Sequence, residues 1–183
     1  MQDCKWMDIA KSSDLTLLDC SQITPTAFAQ MLDDYFSVGT PFLGMFNPED
    51  YFPFERMCYY HSQGKYLPKN STAYTRYFLC DHNGNIYAQG DVRHAPNHEQ
   101  TYFSGYIGYG VLPSKRKCGY GTIMCAKLVE KASQYHSDVI VTCKEDNVAS
   151  RKVIEKNGGI LLDFRYWKER DDIMRRYCIK TTQ

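Results

Sequence analysis

The chain has 183 residues, a length that suits one globular domain with a full hydrophobic core. Its formal net charge of +1 argues against a broad nucleic-acid-binding surface. No apolar stretch reaches the length of a transmembrane helix, and the first residues lack the apolar run of a signal peptide. These features predict a single cytoplasmic domain over residues 1–183, with no nucleic-acid or membrane partner.

The eight cysteines are scattered along the chain, and no two of them form a Cys-x-x-Cys pair. Several lie in apolar patterns, including Cys80, Cys125 and Cys143, where a thiol behaves as a small buried hydrophobe. We therefore expect reduced, structural thiols, with metal binding or redox use as the alternative. His94 and His98 have a spacing seen in metal sites, but Pro96 breaks any helix between them and no third ligand accompanies them. The sequence therefore predicts no metal site.

Patterns in the first half predict a strand, two helices and a three-stranded meander. Leu15 to Leu18 is typical of a strand, and Thr24-Pro25 is typical of a helix N-cap followed by Pro at the first helical position. Asn47-Pro48 repeats that signal for a second helix. The meander is predicted from the alternating segments 72–80, 86–93 and 102–112.

The second half predicts alternating helices and strands. An apolar-periodic helix runs from about residue 119 to 135, and the apolar segment 138–143 is typical of a buried strand parallel to the one before the helix. Asp146-Asn147 caps a short helix that ends at Gly158-Gly159, and segments 160–168 and 173–179 form a final hairpin. The predicted fold is α/β, a mixed sheet flanked by helices in the order β-α-α-β-β-β-α-β-α-β-β.

Residues 105–121, GYIGYGVLPSKRKCGYG, have the pattern of a phosphate-binding loop between a strand and a helix. Free backbone N–H groups at a helix start, with cations nearby, are suited to holding a phosphate. The dinucleotide fingerprint G-x-G-x-x-G and the Walker loop G-x-x-x-x-G-K-[ST] are both absent from the segment. What remains is Arg116-x-x-Gly119-x-Gly121, for which a plain tight turn is the alternative interpretation.

That pattern resembles the pyrophosphate loop of the GNAT superfamily of acetyl-CoA-dependent N-acetyltransferases. A second segment, Asn147 to Gly159, is similar to the Asn-x-x-[Ala/Ser] helix that lies beside the pantetheine arm in that family. The predicted element order is that of the GNAT fold, in which the fourth and fifth strands splay apart. Segments 106–109, 141–143 and 175–177 resemble a bacterial subgroup of predicted acetyltransferases.

The resemblance implies acetyl-CoA as cofactor, with its phosphates on backbone groups of about residues 115–122. Glycines at positions 105, 108 and 110 suit a strand that is bulged and closely approached. The N–H of Tyr109 would polarise the thioester carbonyl, and Asn147 would bind the pantetheine or cap its helix. The expected cofactor-binding residues are Tyr109, Gly110, Val111, Arg116, Lys117, Cys118, Gly119, Tyr120, Gly121, Thr122, Asn147, Ser150 and Arg151.

The implied reaction is direct attack of a neutral amine on the thioester in a ternary complex, with a base for the amine and an acid for the leaving thiolate. The usual Tyr acid of the family falls on Ile154, which has no proton to donate. The candidate replacements are Tyr106, Tyr109, Ser150 and Tyr166. Glu145, at the end of the splayed strand, is the leading base candidate, and capping of the next helix is its alternative role. A covalent acyl-enzyme on Cys118 is the less favoured route.

Three functions are consistent with these features. The first is an N-acetyltransferase acting on a primary amine, and the alternative is a non-catalytic coenzyme A-binding sensor or scaffold. An unrelated phosphate-binding protein is the third. The acceptor stays open among amino acids, polyamines, aminoglycosides and peptide N-termini or lysines, and we expect a monomer or a homodimer. The aromatic residues expected near the acceptor are Phe42, Phe46, Tyr51, Phe52, Tyr166 and Trp167.

Overall fold

The structure, a computed structural model, describes residues 14–39 and 50–181. The strands in this part of the chain are β1 (Thr16–Asp19), β2 (Tyr74–Cys80), β3 (Ile86–Arg93), β4 (Ile107–Val111), β5 (Asp138–Lys144), β6 (Ile160–Trp167) and β7 (Asp172–Lys180). The α-helices are α1 (Pro25–Phe36), α2 (Tyr51–Ser62), α3 (Tyr120–Ala132) and α4 (Val148–Lys156). The predicted order of strands and helices is confirmed, and the fold is a mixed α/β fold.

The strands form two antiparallel sheets that meet at β4 and β5. The first sheet has the order β1-β2-β3-β4, and the second has the order β5-β7-β6. The N–H of Tyr106 donates to the carbonyl oxygen of Ile140 at 2.7 Å, just before β4 begins. No ladder continues from this bond, so β4 and β5 diverge. The predicted splay between the fourth and fifth strands is therefore confirmed.

Two predicted helix caps are confirmed by their hydrogen bonds. The Thr24 hydroxyl accepts from the N–H of Ala27 at 3.1 Å, and Pro25 is the first residue of α1. The Asn147 side chain accepts from the N–H of Ser150 at 3.0 Å at the start of α4. The start signal predicted for α2, Asn47-Pro48, lies outside the described residues. Side-chain caps therefore set the first residue of α1 and α4.

The strand predicted over residues 102–112 is shorter in the structure. Gln100–Ser104 form a π-helical turn, and Gly105 follows with a φ of 72°. A Cβ at Gly105 would lie 2.9 Å from the carbonyl oxygen of Ile140, so only glycine fits this conformation and this approach of β5. The prediction is wrong before Ile107. β4 also pairs with β3 without a register shift, so the predicted bulge does not occur within it.

The hydrophobic core has two parts, one under each helix pair. α3 and α4 pack on one side of the strands through buried residues that include Met124, Leu128, Val139, Ile154 and Tyr177. α1 and α2 pack on the other side, against β2, through residues that include Phe28, Leu32, Phe54 and Phe78. The helix pairs thus cover opposite sides of the strands and leave the β4–β5 opening between them.

The thiols of the described residues follow the prediction except at Cys118. Cys80, Cys125 and Cys143 are free and buried, and burial raises the pKa of Cys80 and of Cys125 to about 12. Cys118 is disulfide-bonded, so the prediction of a reduced thiol is wrong at that position. In the described residues, no helix is both long and apolar enough to cross a membrane.

Candidate active site

The β4 edge of the opening presents backbone groups that have no strand partner. In an antiparallel ladder, alternate residues direct their N–H and C=O groups toward the neighbouring strand. The N–H of Leu112 donates to the Tyr87 carbonyl at 3.1 Å, and the N–H of Arg93 donates to the Tyr106 carbonyl at 2.8 Å, which fixes this alternation between β4 and β3. Three residues therefore point their backbone groups away from β3 and toward β5: Ile107, Tyr109 and Val111.

The facing edge of β5 is built in the same way. The N–H of Glu145 donates to the Ile173 carbonyl at 2.8 Å, which fixes the alternation between β5 and β7. The backbone groups of Ile140, Thr142 and Lys144 consequently point toward β4. The opening is therefore lined by amide groups on both sides, and it fits an extended ligand that itself carries amides.

The loop between β4 and α3 is anchored from α1. Pro113–Lys115 form a 3₁₀ turn, and the Asp34 carboxylate accepts hydrogen bonds from the Ser114 N–H at 3.2 Å and from the Ser114 hydroxyl at 2.9 Å. Lys117 and Gly119 then adopt left-handed conformations, with φ of 64° and 85°. Among the described residues, the N–H groups of Lys117, Gly119 and Gly121 meet no acceptor. The loop therefore offers several N–H donors at the N-terminus of α3.

The loop has two exposed cations, and a glycine at the start of α3 allows close packing. Arg116 and Lys117 are exposed, and neither forms a salt bridge with a described residue. A Cβ at Gly121 would lie 3.3 Å from a methyl of Val153 and 3.4 Å from a methyl of Val111. Gly121 thus lets α3 pack closely on β4 and α4, while the two cations stay available for an anion.

Tyr109 crosses from β4 to the first turn of α4. Its hydroxyl lies 3.1 Å from the hydroxyl of Ser150. Burial raises the pKa of Tyr109 above its ordinary value of 10.0, so the phenol is protonated at neutral pH. Ile154, at the position of the usual acid, is fully buried in the core. The structure therefore joins two of the candidate acids, Tyr109 and Ser150, and gives Ile154 a packing role.

A charged cluster that the sequence patterns did not reveal lies beside β4. The Asp91 carboxylate on β3 is 3.6 Å from the guanidinium of Arg76 on β2 and 3.3 Å from that of Arg93 on β3. Asp91 pairs with Gly108 across the β3–β4 ladder, and a Cβ on Gly108 would lie 3.4 Å from an Asp91 carboxylate oxygen. Arg93 also donates to the carbonyls of Ser104 and Gly105, at 3.2 and 3.0 Å. A carboxylate is thus fixed near the point where β4 and β5 meet.

A cavity of about 270 Å³ opens over this cluster. Its walls come from the segment before β2, from β2 and β3, from the π-helical turn and from the β6–β7 hairpin. The lining residues are Pro68, Lys69, Asn70, Ser71, Tyr74, Arg76, Asp91, Arg93, Glu99, Gln100, Ser104, Trp167 and Arg170. The cavity is polar and small, and it adjoins the end of the β4–β5 opening.

A family model, described as the Acetyltransferase (GNAT) family, matches residues 40–159, which is more than half of the chain. The protein belongs to the GNAT acetyltransferase family. It is an acyltransferase of a class whose acetyl donor is acetyl-CoA. No curated protein sequence matches the chain at a significant level.

Solved structures share the fold at low sequence identity. The microcin C7 self-immunity acetyltransferase MccE, in complex with acetyl-CoA and AMP, is 14% identical with a TM-score of 0.64, and the match covers 94% of each chain. A Salmonella typhimurium acetyltransferase that modifies the N-terminal serine of ribosomal protein L7/L12 is 14% identical with a TM-score of 0.63, over 95% of this chain and 98% of that one. A spermidine N-acetyltransferase SpeG chimera from Vibrio cholerae and hSSAT is 11% identical with a TM-score of 0.59, over 91% and 95%.

Several residues predicted for the GNAT cofactor site also have structural contacts. Asn147 caps α4, the buried Tyr120 ring packs 4.7 Å from the Tyr87 ring, and the Thr122 carbonyl accepts from Asn157 at 3.2 Å. Cys118 is buried, and its disulfide removes the free thiol that a covalent acyl-enzyme needs. Arg151 lies in the first turn of α4, next to Ser150. The contacts of Tyr120, Thr122 and Asn147 hold the start of α3 and the start of α4 in place.

The other predicted catalytic groups have partners away from Tyr109. The Tyr106 ring packs 4.6 Å from the His136 ring, beyond the end of α3. The exposed Tyr166 donates to Asp171 at 2.7 Å within the β6–β7 hairpin. The Glu145 carboxylate accepts from Arg175 on β7 at 3.2 Å, and β7 lies on the side of β5 opposite to β4.

The aromatic residues predicted for the acceptor side are dispersed. Tyr51 is buried, and its hydroxyl donates to the Ile23 carbonyl at 2.7 Å, while Phe52 is exposed on α2. Of the six, only Trp167 lines the polar cavity, among the residues that the structure describes. Phe42 and Phe46 lie outside the described residues. In residues 14–39 and 50–181, no three metal-binding side chains come together.

Proposed function

We propose that the protein transfers the acetyl group of acetyl-CoA to a primary amine by direct attack in a ternary complex. The observation that carries the proposal is the β4–β5 opening, where two rows of backbone amides end at a loop of N–H donors. Coenzyme A has an amide-bearing arm joined to a pyrophosphate. Its chemistry therefore matches the opening along one part and the loop along the other.

The loop is suited to the pyrophosphate. The N–H groups of Lys117, Gly119 and Gly121 face no acceptor among the described residues, and they stand at the positive end of the α3 dipole. Arg116 and Lys117 add charge that no described acidic group neutralises. Asp34 contributes indirectly, because it holds Ser114 and with it the first turn of the loop.

The thioester end is served by Tyr109. Its backbone N–H points into the opening, as an oxyanion donor to the thioester carbonyl must. Its hydroxyl, protonated and bonded to Ser150, is the group that we assign to the leaving sulfur. In the reaction the C–N bond forms and the C–S bond breaks. The nitrogen loses one proton and the thiolate gains one. The phenol therefore has only to stabilise the negative charge on the leaving sulfur and to relay a proton to it.

For the amine we propose Asp91 instead of Glu145 as the interacting carboxylate. Asp91 is held against Gly108 on β4, whereas Glu145 binds Arg175 on the far side of β5. Asp91 is therefore the better placed of the two to accept a hydrogen bond from an amine beside the thioester. Tyr106 and Tyr166, packed against His136 and bonded to Asp171, have no role in this proposal.

Turnover of acetyl-CoA with amines tests the proposal. The purified protein is mixed with acetyl-CoA and a panel of primary amines, and free thiol is measured. We expect thiol release that depends on an amine, and we expect Tyr109→Phe to lower kcat by about 10- to 100-fold while the acetyl-CoA Kd, measured by calorimetry, stays within about twofold. Ser150→Ala is the matched variant on the partner hydroxyl and should have a smaller effect.

The alternative function predicts a different outcome. A coenzyme A-binding sensor would bind acetyl-CoA with the same affinity in the wild type and in Tyr109→Phe, but it would consume no amine. An unrelated phosphate-binding protein would show no heat of binding with acetyl-CoA. Either result would reject the transferase proposal.

A further inference from the structure

The described residues that line the polar cavity carry a net positive charge. Four lining side chains are cationic and two are acidic, for a net formal charge of +2. The cations are Lys69, Arg76, Arg93 and Arg170, and the carboxylates are Asp91 and Glu99. A site with this balance attracts an anionic ligand and repels one that carries several ammonium groups.

Arg170 is a cation fixed at the edge of the cavity. Its guanidinium lies 4.2 Å from the centroid of the Trp167 ring. Trp167 is buried, with 7% of its surface exposed, and stacks on Phe103 at 5.1 Å. The N–H of Arg170 donates to the Trp167 carbonyl at 3.1 Å, so the backbone of this turn is held as well. Arg170 forms no salt bridge with any residue in the described part of the chain.

The floor of the cavity, formed by Asp91, Arg76 and Arg93, is suited to binding a neutral amine. Asp91 offers one negative charge, but Arg76 and Arg93 stand at 3.6 and 3.3 Å from it, so the floor remains positive. A positive environment disfavours an ammonium ion and favours the neutral amine, which is the form that attacks a thioester. The floor also adjoins Gly108 of β4, where the opening for the cofactor begins.

We propose that the acceptor is a small primary amine that also bears a carboxylate, such as an amino acid. Its carboxylate binds the guanidinium fork of Arg170, and its amine reaches Asp91 beside β4. The inference rests on the proposed transferase function and narrows its substrate class. A volume of about 270 Å³ holds an amino acid, while polyamines and aminoglycosides meet the repulsion of a net positive lining.

Matched acceptors test this inference directly. Several L-amino acids are each compared with the amine that lacks only the carboxylate and with the corresponding carboxamide, and kcat/KM is measured by thiol release. We expect the carboxylate to raise kcat/KM by at least about tenfold. Arg170→Glu should lower kcat/KM for the amino acids by at least about tenfold, and it should not lower kcat/KM for the decarboxylated amines, because the less positive lining repels them less.

Lys168→Glu is the matched control, because Lys168 is an exposed cation in the same hairpin that does not line the cavity. It should leave the carboxylate preference unchanged, and an equal effect of the two variants would assign the preference to general surface charge and overturn the role of Arg170. A wild-type preference for the decarboxylated amines would overturn the inference while the transferase function stands.

If no amine is consumed at all, the transferase proposal fails. A binding measurement then still tests whether the cavity holds a carboxylate. The N-acetylated amino acid and the N-acetylated decarboxylated amine are titrated by calorimetry into the wild-type protein in the presence of coenzyme A. Tighter binding of the carboxylate-bearing product, lost in Arg170→Glu, supports the anion site. Equal or weaker binding overturns it.

Discussion

The β4–β5 opening, which we propose for the cofactor, and the polar cavity, which we propose for the acceptor, adjoin each other but are built from different chemical groups. The opening is formed by main-chain groups of β4, β5 and the loop before α3, and its shape depends on glycines at positions 105, 119 and 121. The cavity is formed by charged side chains that come from the segment before β2, from two strands, a π-helical turn and a hairpin. One region is therefore specified by backbone conformation and the other by charge.

This difference predicts how the two regions respond to substitution. Since the opening uses N–H and C=O groups, most side-chain changes there act only through conformation or packing. The cavity instead uses charged side chains that lie close to one another. Replacing one of them with a neutral residue therefore directly changes the net charge that a ligand meets. Variants can thus be chosen that damage one half of the site and leave the other intact.

The largest effect is expected from Asp91→Asn in the acceptor half. The amide removes the negative charge between Arg76 and Arg93 and replaces one of the two carboxylate oxygens that could accept from the amine with an NH2 donor. We expect kcat/KM for the amine to fall about 100-fold, with the acetyl-CoA Kd within about twofold of the wild type. Steady-state kinetics and calorimetry measure the two quantities.

Glu145→Gln is the control for Asp91→Asn. Its carboxylate binds Arg175 at 3.2 Å on the side of β5 away from β4, so kcat/KM should stay within about threefold. Thermal unfolding of both variants separates lost chemistry from lost structure. A 100-fold loss in Glu145→Gln with little effect in Asp91→Asn would restore Glu145 as the base and contradict the assignment to Asp91.

A smaller effect is expected from Gly105→Ala, at the point where the two regions meet. The new Cβ would lie 2.9 Å from the Ile140 carbonyl oxygen, in a residue with a φ of 72°. The free energy of unfolding should fall by about 2 kcal/mol, or about 30-fold in the unfolding constant. Denaturation in urea measures this loss, and the acetyl-CoA affinity should fall in the same variant because β5 is pushed from β4.

Gly84→Ala separates the two causes of that loss. Gly84 has a φ of 80°, but a Cβ there would meet nothing within 4 Å. This variant carries only the conformational cost, which we expect to be about 1 kcal/mol. Equal losses in the two variants would mean that contact with Ile140 does not hold the two sheets together at Gly105.

The same contrast explains which half of the proposed site can be predicted from the sequence. The loop pattern Arg116-x-x-Gly119-x-Gly121 and the cap at Asn147 are local, so residues close in the chain carry the signal. Ile154 at the usual acid position predicts a different acid, and its fully buried side chain has a packing role in the core. Tyr109 is one of several candidates in the sequence, and its 3.1 Å contact with Ser150 is the observation that favours it.

The acceptor half cannot be predicted in this way, because its residues are far from one another in the sequence. Asp91 comes beside Arg76 and Gly108 only through the β2–β3 and β3–β4 registers. The alternation Gln89-x-Asp91-x-Arg93 is the one available signal, since it places three polar side chains on one face of a central strand. Nothing local connects that strand to Arg170. The start of β4 differs from the prediction for a related reason: the aromatic residues before Gly105 have the pattern of a strand, but the chain adopts a left-handed conformation at Gly105.

The smallest effect is expected from Arg116→Ala, in the cofactor half. Arg116 is exposed, and the pyrophosphate of the proposed cofactor would also be held by N–H groups that the substitution leaves in place. An exposed ion pair contributes about 1 kcal/mol, so the acetyl-CoA Kd should rise by about fivefold and the amine KM should not change. The difference from the wild type should shrink as salt is raised, because salt screens the lost attraction at distances beyond about 10 Å in 0.1 M solution.

Lys168→Ala is the control for Arg116→Ala, because it removes an exposed cation from the β6–β7 hairpin, and it should leave the Kd unchanged. An unchanged Kd in Arg116→Ala would show that the charge of Arg116 is not needed to hold the phosphates and would contradict the role assigned to it.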